Sequence, residues 1–211
     1  MKLSIIGSGH IGANLARLLV KSGNDVAIAN SRGPSSLRSF VYELGGQLHP
    51  VDVSGAVAYS NLIIVAVQWR NLGSLPVFRS EGKIIVDPTN PYKDDGTFYD
   101  LGGDISSMRV KDHFPGGKLV KAFNTIWYKH LMESGNIALP PEERRAIPLC
   151  GDDKDAKEII SQLIIEIGFG PVDTGNLDDG TRIQGVNGVL YNRILTVKET
   201  VSILKDLHLT L

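Results

Sequence analysis

The sequence predicts an α/β fold, a doubly wound and mostly parallel sheet with a small helical part at the C-terminal end. Short apolar runs alternate with helical patterns along nearly the whole chain, which is typical of parallel strands covered on both faces. The run at residues 62–67 is continuously apolar, as expected for a strand buried on both faces. A glycine-rich turn joins the first strand to the first helix.

The candidate elements follow one another regularly. Strands are predicted at residues 2–6, 25–29, 61–67, 83–87, 118–123, 146–150 and 170–173. Helices are predicted after the glycine-rich turn and at residues 34–44, 71–78, 125–133 and 155–167. Asp152 and Asp153 precede the last of these helices and are expected to act as N-caps rather than as metal ligands. Residues 88–117 form the one long irregular segment, and segments of this length are often functional.

The C-terminal segment is predicted to be one long helix over residues 177–211, with an apolar stripe from Ile183 to Leu204. Gly185 and Gly188 interrupt this pattern, and each costs about 1 kcal/mol relative to alanine in a helix interior. They favour either the close approach of a flat ligand or a partner helix, or a simple helix break. We expect one doubly wound domain at residues 1–175 and a C-terminal helical segment at 176–211 that completes a cleft or a dimer interface.

Composition limits the functional class. The chain has 211 residues, 42% hydrophobic and 21% charged, which suits one globular domain with a sizeable core. A net charge of −1 gives no support for binding nucleic acid or an anionic membrane surface. The single cysteine, Cys150, is typical of a reducing compartment. Strand pattern begins at residue 2, and no apolar run approaches the roughly 20 residues of a membrane span, so we expect a cytoplasmic protein.

The glycine-rich turn predicts a Rossmann-type dinucleotide site. It reads Gly7-Ser8-Gly9-His10-Ile11-Gly12 and fits the GxGxxG pattern between a strand and a helix. Gly7 permits the tight turn, Gly9 lets the backbone approach a pyrophosphate, and Gly12 lets helix and strand pack closely. The free N–H groups of the helix N-terminus then face the phosphates. His10 is placed either against the nucleotide or in solvent.

A second motif indicates which dinucleotide is bound. NAD sites usually carry Asp or Glu at the end of the second strand, where this chain has the neutral Asn30. Ser31 and Arg32 follow, a hydroxyl and a planar guanidinium suited to a 2′-phosphate. This pattern predicts NADP rather than NAD, so residues 1–175 are expected to form an NADP-binding Rossmann domain. The alternative for Arg32 is a solvated arginine in a turn.

Three further loops are expected to meet the cofactor because ligands of such sheets bind beyond the carboxyl ends of the strands. Their candidate cofactor-binding residues are Val67, Gln68 and Trp69, then Pro88 and Asn90, and then Ala122, Asn124 and Thr125. Trp69 is expected either to cover a ring or to pack under its loop. Asn124 and Thr125 are expected either to bond the nicotinamide carboxamide or to cap the next helix.

No catalytic constellation is predicted. The histidines His10, His49, His113, His130 and His208 are scattered, and no triad or metal-spaced cluster emerges, so we name no catalytic and no metal-binding residue. Hydride transfer between two bound rings needs positioning alone, so this pattern is compatible with an enzyme.

With these residues in view, the chain resembles the NADP oxidoreductases that work with the deazaflavin coenzyme F-420, and the NADPH-binding domain of certain transmembrane metalloreductases. The similarity rests on residues 5–12, 30–32, 87–91, 120–125 and 148–153. Gln68 departs from the proline that coenzyme-linked members tend to carry there.

The resemblance implies direct hydride transfer between NADP(H) and a deazaflavin or flavin-like carrier, in a protein that is often a homodimer. The expected partner is thus a small-molecule redox carrier, with neither nucleic acid nor membrane. The alternatives are an NADPH-dependent reductase of another small acceptor and a non-catalytic NADPH-binding redox sensor.

Overall fold

Eight strands form one sheet at the centre of the protein. The computed structural model describes residues 1–207. The strands are β1 (Lys2–Ile6), β2 (Asp25–Ala29), β3 (Leu48–Pro50), β4 (Leu62–Val65), β5 (Ile84–Asp87), β6 (Lys118–Ala122), β7 (Ala146–Gly151) and β8 (Gly170–Asp173). The predicted strands are all present, and sequence analysis missed only the short β3.

The strand order creates a crevice at the carboxyl ends of two central strands. The order is β3-β2-β1-β4-β5-β6-β7-β8. All neighbouring strands run parallel except β6 and β7, which are antiparallel. The predicted Rossmann-type, mostly parallel fold is therefore confirmed. The chain winds outward from β1 to β3 and then crosses to β4, so the order reverses between β1 and β4, where ligands of such sheets bind.

Helices cover both faces of the sheet. They are α1 (His10–Lys21), α2 (Arg38–Leu44), α3 (Val53–Tyr59), α4 (Ser107–His113), α5 (Tyr128–Glu133), α6 (Lys154–Glu166), α7 (Leu177–Gln184) and α8 (Val197–Asp206). Leu19 of α1 and Ile160 of α6 are buried in the core of one face. Val57 of α3 and Val110 of α4 are buried in the core of the other. This two-sided burial explains why β4 is apolar throughout.

Several helix predictions need correction. The helix predicted at residues 71–78 is wrong: a 3-10 helix covers Trp69–Ser74, and Leu75 is extended because Pro76 disfavours helical geometry in the residue before it. The helix predicted at 125–133 begins only at Tyr128. The 88–117 segment is not wholly irregular, since it contains α4. The cap predicted at Asp153 is confirmed, because its side chain accepts a hydrogen bond from the Ala156 N–H.

The single long C-terminal helix is also wrong. Helix α7 ends at Gln184, and α8 starts after Thr196, which forms a capping box with Glu199. A Cβ on Gly188 would lie 2.3 Å from the Ile183 backbone oxygen, so glycine lets the chain fold back on α7. The helix-break alternative is therefore correct, and the approach of an outside ligand or helix is not what Gly188 serves. Residues 208–211 of the predicted helix, with His208, lie outside the described residues.

Within residues 1–207, none of the helices combines the length and apolarity that crossing a bilayer requires. In that same part of the chain, no group of His, Cys, Asp and Glu side chains is arranged to hold a metal ion.

Candidate functional site

A cleft of about 800 Å³ opens along the carboxyl ends of β1, β4, β5 and β6. The predicted residues that line it are Ser8, Gly9, His10, Ile11, Val67, Gln68, Trp69, Pro88, Asn90 and Asn124. The other predicted residues do not line it. Gly7 and Gly12 pack beneath the turn, Ala122 and Thr125 are buried behind the wall, and Asn30, Ser31 and Arg32 lie at the end of β2.

The three glycines of the turn play different structural parts. Gly7 has a φ of +111°, and a Cβ there would lie 2.3 Å from the Ala66 backbone oxygen. A Cβ on Gly12 would lie 2.0 Å from the Gly7 backbone oxygen. A Cβ on Gly9 would meet no atom of residues 1–207 within 4 Å. Gly7 and Gly12 are thus required by packing, whereas Gly9 leaves space inside the cleft.

The N-terminus of α1 faces this space and suits a pyrophosphate. The N–H groups of His10, Ile11 and Gly12 have no acceptor within the helix, because the first intrahelical bond runs from the Ala13 N–H to the Gly9 oxygen at 2.8 Å. No side chain caps this helix, and its first turn carries no acidic residue. The turn Gly7–Gly12, which we call the glycine cradle, and these available N–H groups therefore fit a bound dinucleotide phosphate.

Asn30 connects the glycine turn to the Arg32 loop. Its Nδ2 donates to Ser8 Oγ at 2.9 Å, and its Oδ1 accepts from the Arg32 backbone N–H at 2.9 Å. Ser36 also bonds to its amide. These bonds use the Asn30 amide for positioning, while the Ser31 and Arg32 side chains are exposed beside the cleft.

Packing resolves the two alternatives for Trp69. Trp69 is only 6% exposed, its Nε1 donates to the Ser106 oxygen at 3.0 Å, and the Arg109 guanidinium lies 4.5 Å from its ring. It packs under its loop and contributes only part of its surface to the cleft. The exposed His10 ring stacks on Tyr128, with ring centroids 4.2 Å apart.

Two asparagine amides form the wall at the ends of β5 and β6. Asn90 Nδ2 donates to the Asn124 backbone oxygen at 2.8 Å. Asn124 Nδ2 donates to the Gln184 backbone oxygen at 2.8 Å and lies 3.3 Å from Asn90 Oδ1. Neither Asn124 nor Thr125 caps α5, whose N-cap position is Trp127 with no side-chain bond. The capping alternative for these residues is therefore wrong.

A buried ion pair supports this wall from below. Lys121 Nζ lies 3.0 Å from Asp87 Oδ2, and both side chains are 0% exposed. Thr89 and Ser107 also donate to the Asp87 carboxylate. Burial opposes ionisation of Asp87, but the Lys121 charge and these hydrogen bonds outweigh it and lower its pKa below the usual value. The pair fixes the ends of β5 and β6.

Sequence analysis missed the outer lip of the cleft. Tyr92 and Lys93 of the 88–117 segment line it, as do Trp127 and Tyr128. The Tyr92 and Tyr191 hydroxyls share a hydrogen bond, so this segment is tied to the chain that follows α7. The signal in the sequence was the Trp127-Tyr128 pair just after a strand, at the edge where ligands bind.

Comparison with known proteins identifies the family. Residues 2–91 match the family model described as NADP oxidoreductase, coenzyme F-420-dependent. A solved hypothetical protein from Sinorhizobium meliloti is 32% identical, with 93% of this chain and 96% of that chain covered and a TM-score of 0.82. The chain belongs to this NADP oxidoreductase family.

Other similar proteins are more distant. Metalloreductase STEAP3 of Rattus norvegicus is 29% identical over 189 residues, covering 88% of this chain and 36% of that protein. The chain thus spans about a third of the length of the curated relatives it matches. A solved protein from Arthrobacter sp. is described as a proposed F-420-dependent NADP reductase. It is 23% identical with a TM-score of 0.68, and the match covers 83% of this chain and 85% of that chain. This similarity shows a shared fold.

Proposed function

We propose that this protein transfers hydride between NADP(H) and a deazaflavin, coenzyme F-420, or a flavin-like carrier. The observation that carries the proposal is the cleft itself, where a glycine cradle at the start of α1 and an asparagine wall at the ends of β5 and β6 share one space. Membership of the NADP oxidoreductase family supports the same reaction class.

The residues present suit NADP(H) in one orientation along the carboxyl ends of the strands. Ser31 and Arg32 at the end of β2 are placed to bind a 2′-phosphate. The N-terminus of α1, with the space left by Gly9, is placed to bind the pyrophosphate. Because β4, β5 and β6 lie on the other side of β1, the nicotinamide half of the molecule then extends toward Asn90 and Asn124.

Bound NADPH would supply a hydride, and a deazaflavin that takes this hydride together with one proton from solvent would be reduced by two electrons. The protein's own contribution is to hold the two rings in contact and to exclude water from between them, for which no general acid is required. Trp127 and Tyr128 on the lip offer flat surfaces for a ring system. Trp127 is 49% exposed and packs edge-on against Tyr128.

We also propose a cytoplasmic homodimer. The family resemblance supports the homodimer, which sedimentation velocity would test. Cys150 supports a reducing compartment, since it is the single cysteine of the sequence and is buried and free.

A hydride-transfer assay tests the proposal. Oxidised coenzyme F-420 is mixed with NADPH and the protein, and loss of the deazaflavin's visible absorbance is followed, with NADH and a free flavin in parallel. We expect bleaching that requires NADPH. The matched control is Gly9→Val, which should fold normally but block the phosphate space. Tight NADPH binding without bleaching of either carrier would refute the acceptor and leave another small acceptor or a sensor role.

A further inference from the structure

Asn124, in the wall of the cleft, has one buried polar atom without a hydrogen-bond partner among residues 1–207. Asn124 lines the cleft, and only 5% of its surface is exposed. No donor of residues 1–207 reaches its Oδ1, although the same amide is fully engaged through Nδ2. A buried acceptor without a bond is costly, by about 1–3 kcal/mol in general. Such an atom in a cleft wall indicates a ligand that donates a hydrogen bond to it.

The orientation of this amide is fixed by its neighbours. Rotating it by a half turn would set Oδ1 against the Gln184 backbone oxygen, and two acceptors repel each other. The Gln184 oxygen is available because α7 ends there and leaves its last carbonyl groups outside the helical bonding pattern. The helix break after Gln184 therefore has a consequence in the cleft, since it supplies the acceptor that holds Asn124 Nδ2.

Asn90 holds the backbone of the same residue. Its Nδ2 bonds to the Asn124 oxygen, and its Oδ1 faces Asn124 Nδ2. Phe123, just before Asn124, is buried with a φ of +67°, an unusual conformation for a residue with a Cβ. A strained backbone at this point is maintained only where its surroundings hold it. Asn90 and the end of α7 supply that support.

We propose that Asn90 and the C-terminal end of α7 are positioning groups that hold Asn124 Oδ1 toward the cleft, as the acceptor for the N–H of the nicotinamide carboxamide. This inference rests on the proposed function, because it takes NADP(H) as the ligand. The 2′-phosphate end at β2 leaves the β5 and β6 ends to the nicotinamide half, and a primary carboxamide brings the donor that Oδ1 lacks. The bond would fix which face of the ring points to the acceptor carrier.

The test compares the binding of two ligands that differ only at this donor. One is NADP, and the other is its 3-acetylpyridine analogue, in which a methyl group replaces the carboxamide NH₂. Adenosine 2′,5′-bisphosphate, which has no nicotinamide, serves as the reference ligand. Isothermal titration calorimetry measures all three against the wild-type protein, Asn124→Ala, Asn90→Ala and the matched control Asn61→Ala, which lies before β4 at the opposite edge of the sheet.

We expect the wild-type protein and the Asn61 variant to bind NADP about tenfold more tightly than the analogue. The preference should fall to about onefold in Asn124→Ala and to threefold or less in Asn90→Ala, with bisphosphate affinity unchanged. If Asn90→Ala melts at a lower temperature than wild type, the isosteric Asn90→Asp, which lacks the donor to the Asn124 oxygen, replaces it and should lose the preference likewise.

Each contrary result has a distinct meaning. A full preference retained in Asn124→Ala, or no preference in the wild type when NADP and the bisphosphate both bind, overturns the inference and leaves the proposed function in place. A full preference in the Asn90 variants overturns the positioning role. Failure of wild type to bind the bisphosphate and NADP overturns the proposed function, and the inference with it.

Discussion

Replacing Lys121 with Met should destabilise the protein strongly. Methionine keeps an unbranched side chain that is one atom shorter, and it removes the ammonium that lies 3.0 Å from Asp87 Oδ2 and 2.9 Å from the Thr89 oxygen. Because both side chains are fully buried, Asp87 would be left as an uncompensated charge. Breaking such a pair costs about 3–5 kcal/mol, a large part of the roughly 5–15 kcal/mol that stabilises a typical domain.

Two comparison variants isolate this effect. Lys198→Met removes a surface partner of Glu143 that is 64% exposed, and an exposed pair contributes only about 0–1 kcal/mol. The double variant Asp87→Asn with Lys121→Met removes both buried charges, so it should be more stable than Lys121→Met alone. Urea denaturation followed by tryptophan fluorescence measures the free energy of unfolding of each protein.

The pH dependence has a defined sign. In the wild-type protein the pKa of Asp87 is lowered, so its contribution to stability is present above the usual carboxyl pKa of about 3.9 and is lost as the pH falls through the lowered value. Without Lys121, burial raises the pKa of Asp87, and protonation relieves part of the cost. The deficit of Lys121→Met should therefore be smaller at pH 5 than at pH 7. Destabilisation no greater than that of Lys198→Met, or a double variant less stable than Lys121→Met, would refute this reasoning.

Four further substitutions probe the cofactor site and the fold. Arg32→Ala should weaken NADPH by about 1.5–3 kcal/mol in a fluorescence titration and leave NADH unchanged, and equal losses would rule out a 2′-phosphate role. Gly9→Val should keep the wild-type melting temperature but abolish NADPH binding. Gly12→Val should lower the melting temperature, because its Cβ meets the Gly7 oxygen at 2.0 Å. The reverse pattern would contradict the roles assigned to these two glycines. Gly188→Leu should lower the melting temperature, since its Cβ meets the Ile183 oxygen, and unchanged melting would show that this turn adapts.

Much of the fold was predictable because the signals were local. Strands β1, β2 and β8 have the predicted bounds, since each apolar run is closed by a turn or a charged residue. Strand β3 was missed because three residues ending in Pro50 show no periodicity. The prediction of one long C-terminal helix is wrong because the apolar stripe continues on both sides of a break at Gly185 and Gly188.

The candidate site was predictable only as a set of loops. The rule that ligands bind beyond the carboxyl ends of strands predicts a shared site for residues such as Gly9, Gln68 and Asn90, and all three line the cleft. Sequence could not show that Asn30 Nδ2 donates to Ser8 Oγ, or that Trp69 packs under its loop and donates to the Ser106 oxygen, because these contacts join residues far apart in the chain. The same applies to Asn124 and Gln184, which are distant in sequence and meet only through the end of α7.

A crystal structure of the protein with bound NADP tests the central claim most directly. We predict the pyrophosphate on the N–H groups of His10 and Ile11, the 2′-phosphate beside Arg32, and the nicotinamide against Asn124. A dinucleotide bound outside this cleft, or bound in it with the adenine end at β5 and β6, would contradict the account.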